Sequence, residues 1–290
     1  ATQPYPTWPQ PVDPIVIDGL TEEFVIDYTP ELKQQALALL DDFRIGGLYV
    51  PALPRNHGND FTNNIGCLGA GNVIPHPPVA DPSTGMMYSS HSRSCFAPGF
   101  MEPTNGTDRD NPNYPKPGAG GVTPNSTPTT GRTVAAWLPR GGGGMPTIDG
   151  LRLFKPMDSQ LTAYQMNTGE KTWSLPIGPT LEQITNHPLL AEVDVPESGG
   201  LGWSIQMVTG DVLVQARAMS EGGVQFIPDE PLTLNARDKV SGELLASVAL
   251  PAPAQYGMMT YLHEGKQYIV VQIGSSRTDF PGSLVAYRLP

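Results

Sequence analysis

The chain has 290 residues, of which 32 are Gly and 32 are Pro; only 16% are charged, and the net charge is −11. This composition argues for an all-β frame rich in turns and against a helical protein. The negative charge disfavours nucleic acid or an anionic membrane surface as a partner, and no apolar run is long enough for a membrane-spanning helix.

Residues 1–20 are Pro-rich (TQPYPTWPQPVDP) and read as an extended arm laid on a neighbouring surface, with Tyr5 and Trp8 as apolar anchors. No charged n-region or apolar h-region opens the chain, so it is read as a mature form or a fragment. Thr29-Pro30-Glu31 then starts a helix. Thr29 can cap it, Pro30 suits the first helical position, and Glu31 favours the positive helix end. Leu32, Ala36, Leu39, Leu40 and Phe43 share one face, which predicts a helix over 30–44 closed by Gly46-Gly47. Residues 48–54 read as a strand. Residues 61–80 are Gly- and Asn-rich. The DPSTG run at 81–85 opens a hairpin.

Residues 96–150 read as a long loop insertion containing a Gly141–Gly144 run. The segment LTAYQMNTGEKTWSLPIG at 161–178 follows, and it has an echo in LNARDKVSGELLASVALP at 234–251. Each is a strand, a turn and a strand. Gly169 and Gly242 supply the positive φ at the turn. Trp173 is expected to dock between neighbouring sheets, with its indole N–H on an acceptor. Two strands meet about Thr209-Gly210-Asp211, and a last hairpin turns at Glu264-Gly265. Residues 283–289 form a terminal strand. Recurrent short hairpins of one pattern point to a β-propeller.

Chemistry-bearing clusters are sparse. The five histidines (57, 76, 91, 187 and 263) are scattered without metal-ligand spacing, and His187 and His263 read as structural. There is no nucleophile elbow and no phosphate loop. Cys67 and Cys95 make no CxxC pair, so no zinc ribbon or covalent haem is encoded. In an exported protein they would form one disulfide, bringing together strands that flank the DPSTG hairpin. In a cytosolic protein they would stay free.

The ordered set of motifs resembles the C-terminal half of a pyrroloquinoline-quinone (PQQ) dehydrogenase, nearest to the membrane-type glucose and alcohol dehydrogenases. The residues that carry the likeness are TQPYPTWP (2–9), YTPELKQQALALLDDFRIGGLYVP (28–51), ADPSTGMMY (80–88), the 161–178 repeat with ITNHP (184–188), and the closing MMTYLHEGKQYIVVQIGSS with LVAYRLP. The resemblance implies about half of an eight-bladed propeller, preceded by a Pro-rich arm and helix over 1–47. The propeller part would occupy 48–290, with the insertion at 96–150. It also implies PQQ as cofactor, shared with the N-terminal half of the ring, which is carried by a second chain unless this one is a cleaved or truncated piece. Calcium or magnesium would sit in that partner half. The implied location is periplasmic or secreted, with electrons passing to a membrane quinone or cytochrome c.

Departures from the family pattern gather near the axis. Where the family has GxNWGG, this chain has GAGNVIPHPP, so Asn72 is either a PQQ contact or a turn residue, and the Trp is replaced by Val73. Trp203 stands where the family has a glycine. It would fill the axis, stack beside the cofactor, or pack in the core. Asp229 is a surviving acidic residue at altered spacing. Two functions follow from the resemblance. One is a subunit or fragment of a PQQ-dependent alcohol or sugar dehydrogenase. The other is a non-catalytic propeller subunit that keeps the frame as a scaffold.

Overall fold

The computed structural model describes residues 19–47, 63–70, 78–101, 138–143, 146–156, 159–200, 203–218, 232–274 and 281–288. The strand expected at 48–54, the anchors Tyr5 and Trp8, and the candidate cofactor residues Asn72 and Asp229 lie outside them.

Helix α1 (Pro30–Leu40) begins as its residues dictate. Thr29 Oγ1 accepts the Leu32 N–H at 3.2 Å, and Pro30 takes the first turn. The helix buries Leu32, Ala36 and Leu40. It ends earlier than its apolar spacing predicts. Phe43–Arg44 leaves the helix as a short strand, β1, paired in parallel with β2 (Asn63–Asn64). That pairing uses backbone groups a longer helix would have consumed. The helix packs with Phe24, Ile148, Leu153, Phe154, Leu181 and Ile184 in one core cluster.

Strands dominate the rest of the described chain. β3 (Gly66–Ala70), β4 (Val79–Asp81) and the long β5 (Met86–Met101) are followed by β6 (Leu138–Gly143), β7 (Thr147–Ile148) and β8 (Leu151–Arg152). β9 (Gln160–Gln165) and β10 (Glu170–Pro176) form the first repeat hairpin. A one-turn helix, α2 (Glu182–Thr185), then precedes β11 (Trp203–Thr209) and β12 (Val212–Ala218). β13 (Thr233–Asp238) and β14 (Leu244–Ala249) form the second repeat hairpin. β15 (Ala254–His263), β16 (Lys266–Ile273) and β17 (Ser283–Arg288) close the chain.

Three propeller blades emerge from the pairing. The first runs β4-β5-β9-β10 and the second β11-β12-β13-β14, each a four-stranded antiparallel meander. The third runs β15-β16-β17. Alternation sends Tyr88, Leu161 and Ala163 of the first blade against Leu213 of the second. It sends Ile205, Ala216 and Leu234 of the second blade against Ile269, Val271 and Ile273, which lie on the third. The fan is a partial β-propeller.

One turn is used three times. The Gly85, Gly169 and Gly242 N–H groups donate to the carbonyls of Asp81, Gln165 and Asp238 at 2.9, 2.8 and 2.8 Å. The three glycines have φ of 70°, 76° and 79°. This is the geometric content of the repeat seen in the sequence. Where sequence periodicity predicts only loop, the structure adds β2, β3, the far end of β5, β6 and β7. β5 runs through Ser-Ser-His-Ser-Arg-Ser, whose small polar residues hide the alternation. Cross-strand pairing with β3 and β6 carries it on to Met101.

Candidate functional site at the inner strands

β11 meets β4 on one side and β15 on the other, and a parallel bridge between Ala218 and Ala254 ties the second blade to the third. The inner end is polar. The Ser90 Oγ accepts the Ser204 N–H at 2.9 Å, and Gln206 Nε2 donates to the Ser204 carbonyl at 2.7 Å. From there a ladder crosses the second blade. Arg237 Nε donates to Gln215 Oε1 at 3.2 Å, and Ser247 Oγ donates to Asn235 Oδ1 at 2.8 Å. Burial lowers the pKa of both Arg217 and Arg237 from the ordinary arginine value.

Two buried amide atoms on the inner strands stand out. Gln206 Oε1 and Gln255 Nε2 have no hydrogen-bond partner among the described residues. An orphaned buried acceptor or donor is costly, which makes such atoms markers of a group supplied from elsewhere. Beside Gln255 the β15 strand bulges. The register slips between Ala254 and Met258, and Tyr256 takes a positive φ of 33°. A tyrosine in that region is strained and persists only where its surroundings hold it.

The three residues singled out from sequence fare differently. Trp203 opens β11, opposite Ala218, at the inner end of the second blade. Asn72 and Asp229 lie outside the described residues, so the structure does not bring the three together. Sequence reasoning missed Gln206, Gln255 and the Tyr256 bulge, because a glutamine within a strand looks like any solvent-facing residue until its burial is known.

The described residues do not make a complete PQQ site by themselves. PQQ is a planar quinone bearing three carboxylates, and it requires several cationic or N–H donors together with a flat apolar cover. Gln255 Nε2 offers one donor. Among the described residues no group of three His, Cys, Asp or Glu could hold a metal ion.

Other side chains have structural work. His187 Nδ1 accepts the Leu189 N–H at 3.3 Å, and its Nε2 lies 2.9 Å from the Asp149 carbonyl, as its turn position suggests. Trp173 does dock between blades. It sits 5.9 Å from the Tyr88 ring, and a Cβ on Gly242 would come within 3.1 Å of it. The expected acceptor is absent, since the indole N–H finds no partner among the described residues. Its edge is held by packing alone. Cys95 is disulfide-bonded, and Cys67 stands directly opposite it in register across β3 and β5.

With this geometry in hand, the relatives can be placed. Residues 1–269 match the family described as PQQ: glucose/ethanol/alcohol dehydrogenase, beta-propeller domain. The chain belongs to this family. It is 28% identical over 194 residues to the glycerol dehydrogenase large subunit of Gluconobacter thailandicus, covering 62% of this chain and 23% of that one. The large subunit from Gluconobacter oxydans (strain 621H) matches with the same identity and coverage. Among solved structures, a europium-containing methanol dehydrogenase aligns over 93% of this chain and 32% of its own, with 14% identity and a TM-score of 0.40. The chain thus spans about a quarter of the length of the curated family members it matches.

Proposed function

We propose that this chain contributes part of the propeller of a PQQ-dependent dehydrogenase that oxidises the hydroxyl of an alcohol, polyol or sugar. The observation that carries this reading is the family match over residues 1–269, which spans two four-stranded blades of one repeated design and reaches into the third. PQQ would supply the two-electron acceptor for turning a hydroxyl into a carbonyl. This chain's part is to frame the axis and to offer Gln255, Gln206 and Trp203 at its inner rim. The metal ligands and the catalytic base would come from the remaining blades, on a second polypeptide. Electrons would leave to a membrane quinone or a cytochrome c, in a periplasmic or secreted setting that suits the disulfide at Cys95.

The test is the PQQ content of the native assembly, measured after denaturation, together with dye-linked oxidation of glycerol, ethanol and glucose. Stoichiometric PQQ with turnover is the expected result. A cofactor-free assembly that stays inactive after addition of PQQ and calcium would reject this reading in favour of a non-catalytic scaffold.

A further inference from the structure

A cavity of about 300 Å³ opens between the residues that lead into α1, the segment after β8 and the loop that leads into β11. That volume is at the lower end of the range for small-molecule sites. Its walls are tied together by backbone. The Ile26 N–H donates to the Leu153 carbonyl at 3.0 Å, and the Lys155 N–H donates to the Phe24 carbonyl at 2.8 Å. The third wall is fixed through Ser198. Its N–H donates to Thr180 Oγ1 at 3.0 Å, and its carbonyl accepts from Gln160 Nε2 at 3.1 Å. Gly199 follows at φ 80°, packed so closely on the Ser159 carbonyl that no Cβ would fit.

Tyr28, Pro156 and Val193 give the cavity apolar sides, and its charge is unbalanced. Three carboxylates line it, those of Asp27, Asp194 and Glu197, against the single ammonium of Lys155. That ammonium is already committed, with Nζ 2.7 Å from Asp27 Oδ2. Among the described residues Asp194 and Glu197 have no side-chain partner of their own. An independent feature points the same way. Ser198, which also lines the cavity, is 6% exposed, and its Oγ has no hydrogen-bond partner among the described residues. A buried hydroxyl left unmet costs free energy, and its lone pairs can accept from a donor brought in from outside. The surplus of carboxylates selects a donor that carries positive charge.

We propose that this cavity binds a small primary alkylammonium ion. The ammonium donates to Asp194, Glu197 and the Ser198 hydroxyl, and the alkyl stem lies against Tyr28 and Val193. A primary ammonium has three N–H donors, which matches this set of acceptors in number. A metal ion is the poorer occupant. Among the described residues no group of three His, Cys, Asp or Glu could hold one, and the apolar sides would gain nothing from it. An anion is opposed by the surplus negative charge. The proposal is independent of the dehydrogenase reading, because the cavity shares no residue with the inner rim at Trp203, Gln206 and Gln255.

The experiment is a ligand-observed NMR titration of the full chain with pentylammonium at low ionic strength, with 1-pentanol and pentanoate as controls of the same shape. Pentylammonium should bind at least about tenfold more tightly than 1-pentanol, and pentanoate should not bind. Asp194→Asn, Glu197→Gln should weaken pentylammonium at least about tenfold and leave the melting temperature unmoved, since both side chains are exposed. Ser198→Ala should weaken it about threefold or more. The chain carries a net charge of −11, so general attraction of cations needs its own control. Glu170→Gln, Glu243→Gln removes the same charge from exposed positions beside the two repeat turns, and should leave the affinity unchanged. Absence of pentylammonium binding overturns the proposal. So does 1-pentanol binding as tightly, or an equal loss in the two double variants. A Ser198→Ala variant or a cavity double variant with wild-type affinity overturns it as well.

Discussion

Lys239, in the turn of the second repeat hairpin, reaches the first blade and places its Nζ 2.6 Å from Asp81 Oδ2. The same ammonium donates to the Gly210 carbonyl at 2.6 Å, and the Tyr88 hydroxyl donates to the Lys239 carbonyl at 2.9 Å. Asp81 also accepts from Ser83 and Thr84 within its own turn. Two repeated turns, far apart in sequence, are thereby locked by one buried ion pair. Lys239 and the hydroxyls of Ser83 and Thr84 hold the Asp81 carboxyl well below the usual carboxylate range. Burial and the nearby Asp81 and Asp238 charges push the Tyr88 hydroxyl up to about 12.

Lys239→Met should therefore destabilise the chain more than the double change Lys239→Met, Asp81→Asn, because the single variant strands a carboxylate among buried groups. Thermal melts of the single and double variants check this. A single variant that melts no lower than the double would mean that the pair is not coupled.

Gly242 sits at φ 79°, and a Cβ there would lie 3.0 Å from Leu175 and 3.1 Å from Trp173. Gly242→Ala adds backbone strain to an inter-blade clash. A loss of about 2 kcal/mol is expected. Gly265, also at positive φ but with open space around it, isolates the backbone cost. In urea unfolding, Gly265→Ala should lose only about half as much. Equal losses would show that Trp173 packing adds nothing.

His91 is 1% exposed, with Nε2 2.7 Å from Thr162 Oγ1, which in turn lies 2.8 Å from Ser174 Oγ. Burial, helped by Lys171, lowers its pKa to about 4. The folded chain thus resists a proton that the unfolded chain accepts. The stability this contributes is full above pH 6.5 and is lost as the pH falls from there to about 4. The expected loss is about 3 kcal/mol. Asp81 titrates below that window, so the two effects separate. His91→Gln should flatten the profile between pH 6.5 and 4. A melting temperature in the wild type that is level across that range would contradict the assignment.

The disulfide at Cys95 closes a loop of roughly 30 residues through the DPSTG hairpin, and such a closure is worth about 3–4 kcal/mol. Dithiothreitol should lower the melting temperature of the wild type and leave a Cys67→Ser, Cys95→Ser variant unmoved. Equal behaviour of the two proteins would remove the cross-link from the account.

The frame was legible in the sequence because it repeats. Asp81, Gln165 and Asp238 begin the same turn, Gly85, Gly169 and Gly242 close it, and Thr29-Pro30 announces the helix. The inner rim was not legible, for two physical reasons. Its candidate atoms belong to glutamines and serines, whose roles depend on burial that periodicity does not encode. And the link between Lys239 and Asp81 joins residues that only the stacking of two blades brings together.

Gln255 allows the rim to be tested directly. Its Nε2 is buried without a partner in the described chain, so Gln255→Leu removes an orphaned donor. In the isolated chain that change should be neutral or stabilising, by about 1 kcal/mol. In the native assembly the same change should be destabilising if a group from outside this chain accepts from the amide there, as the carboxylate of a bound cofactor would. Parallel melts of the variant alone and assembled decide the matter. Opposite signs place an external acceptor at Gln255, and a loss of the same size in both would mean that the amide is already satisfied within the chain itself.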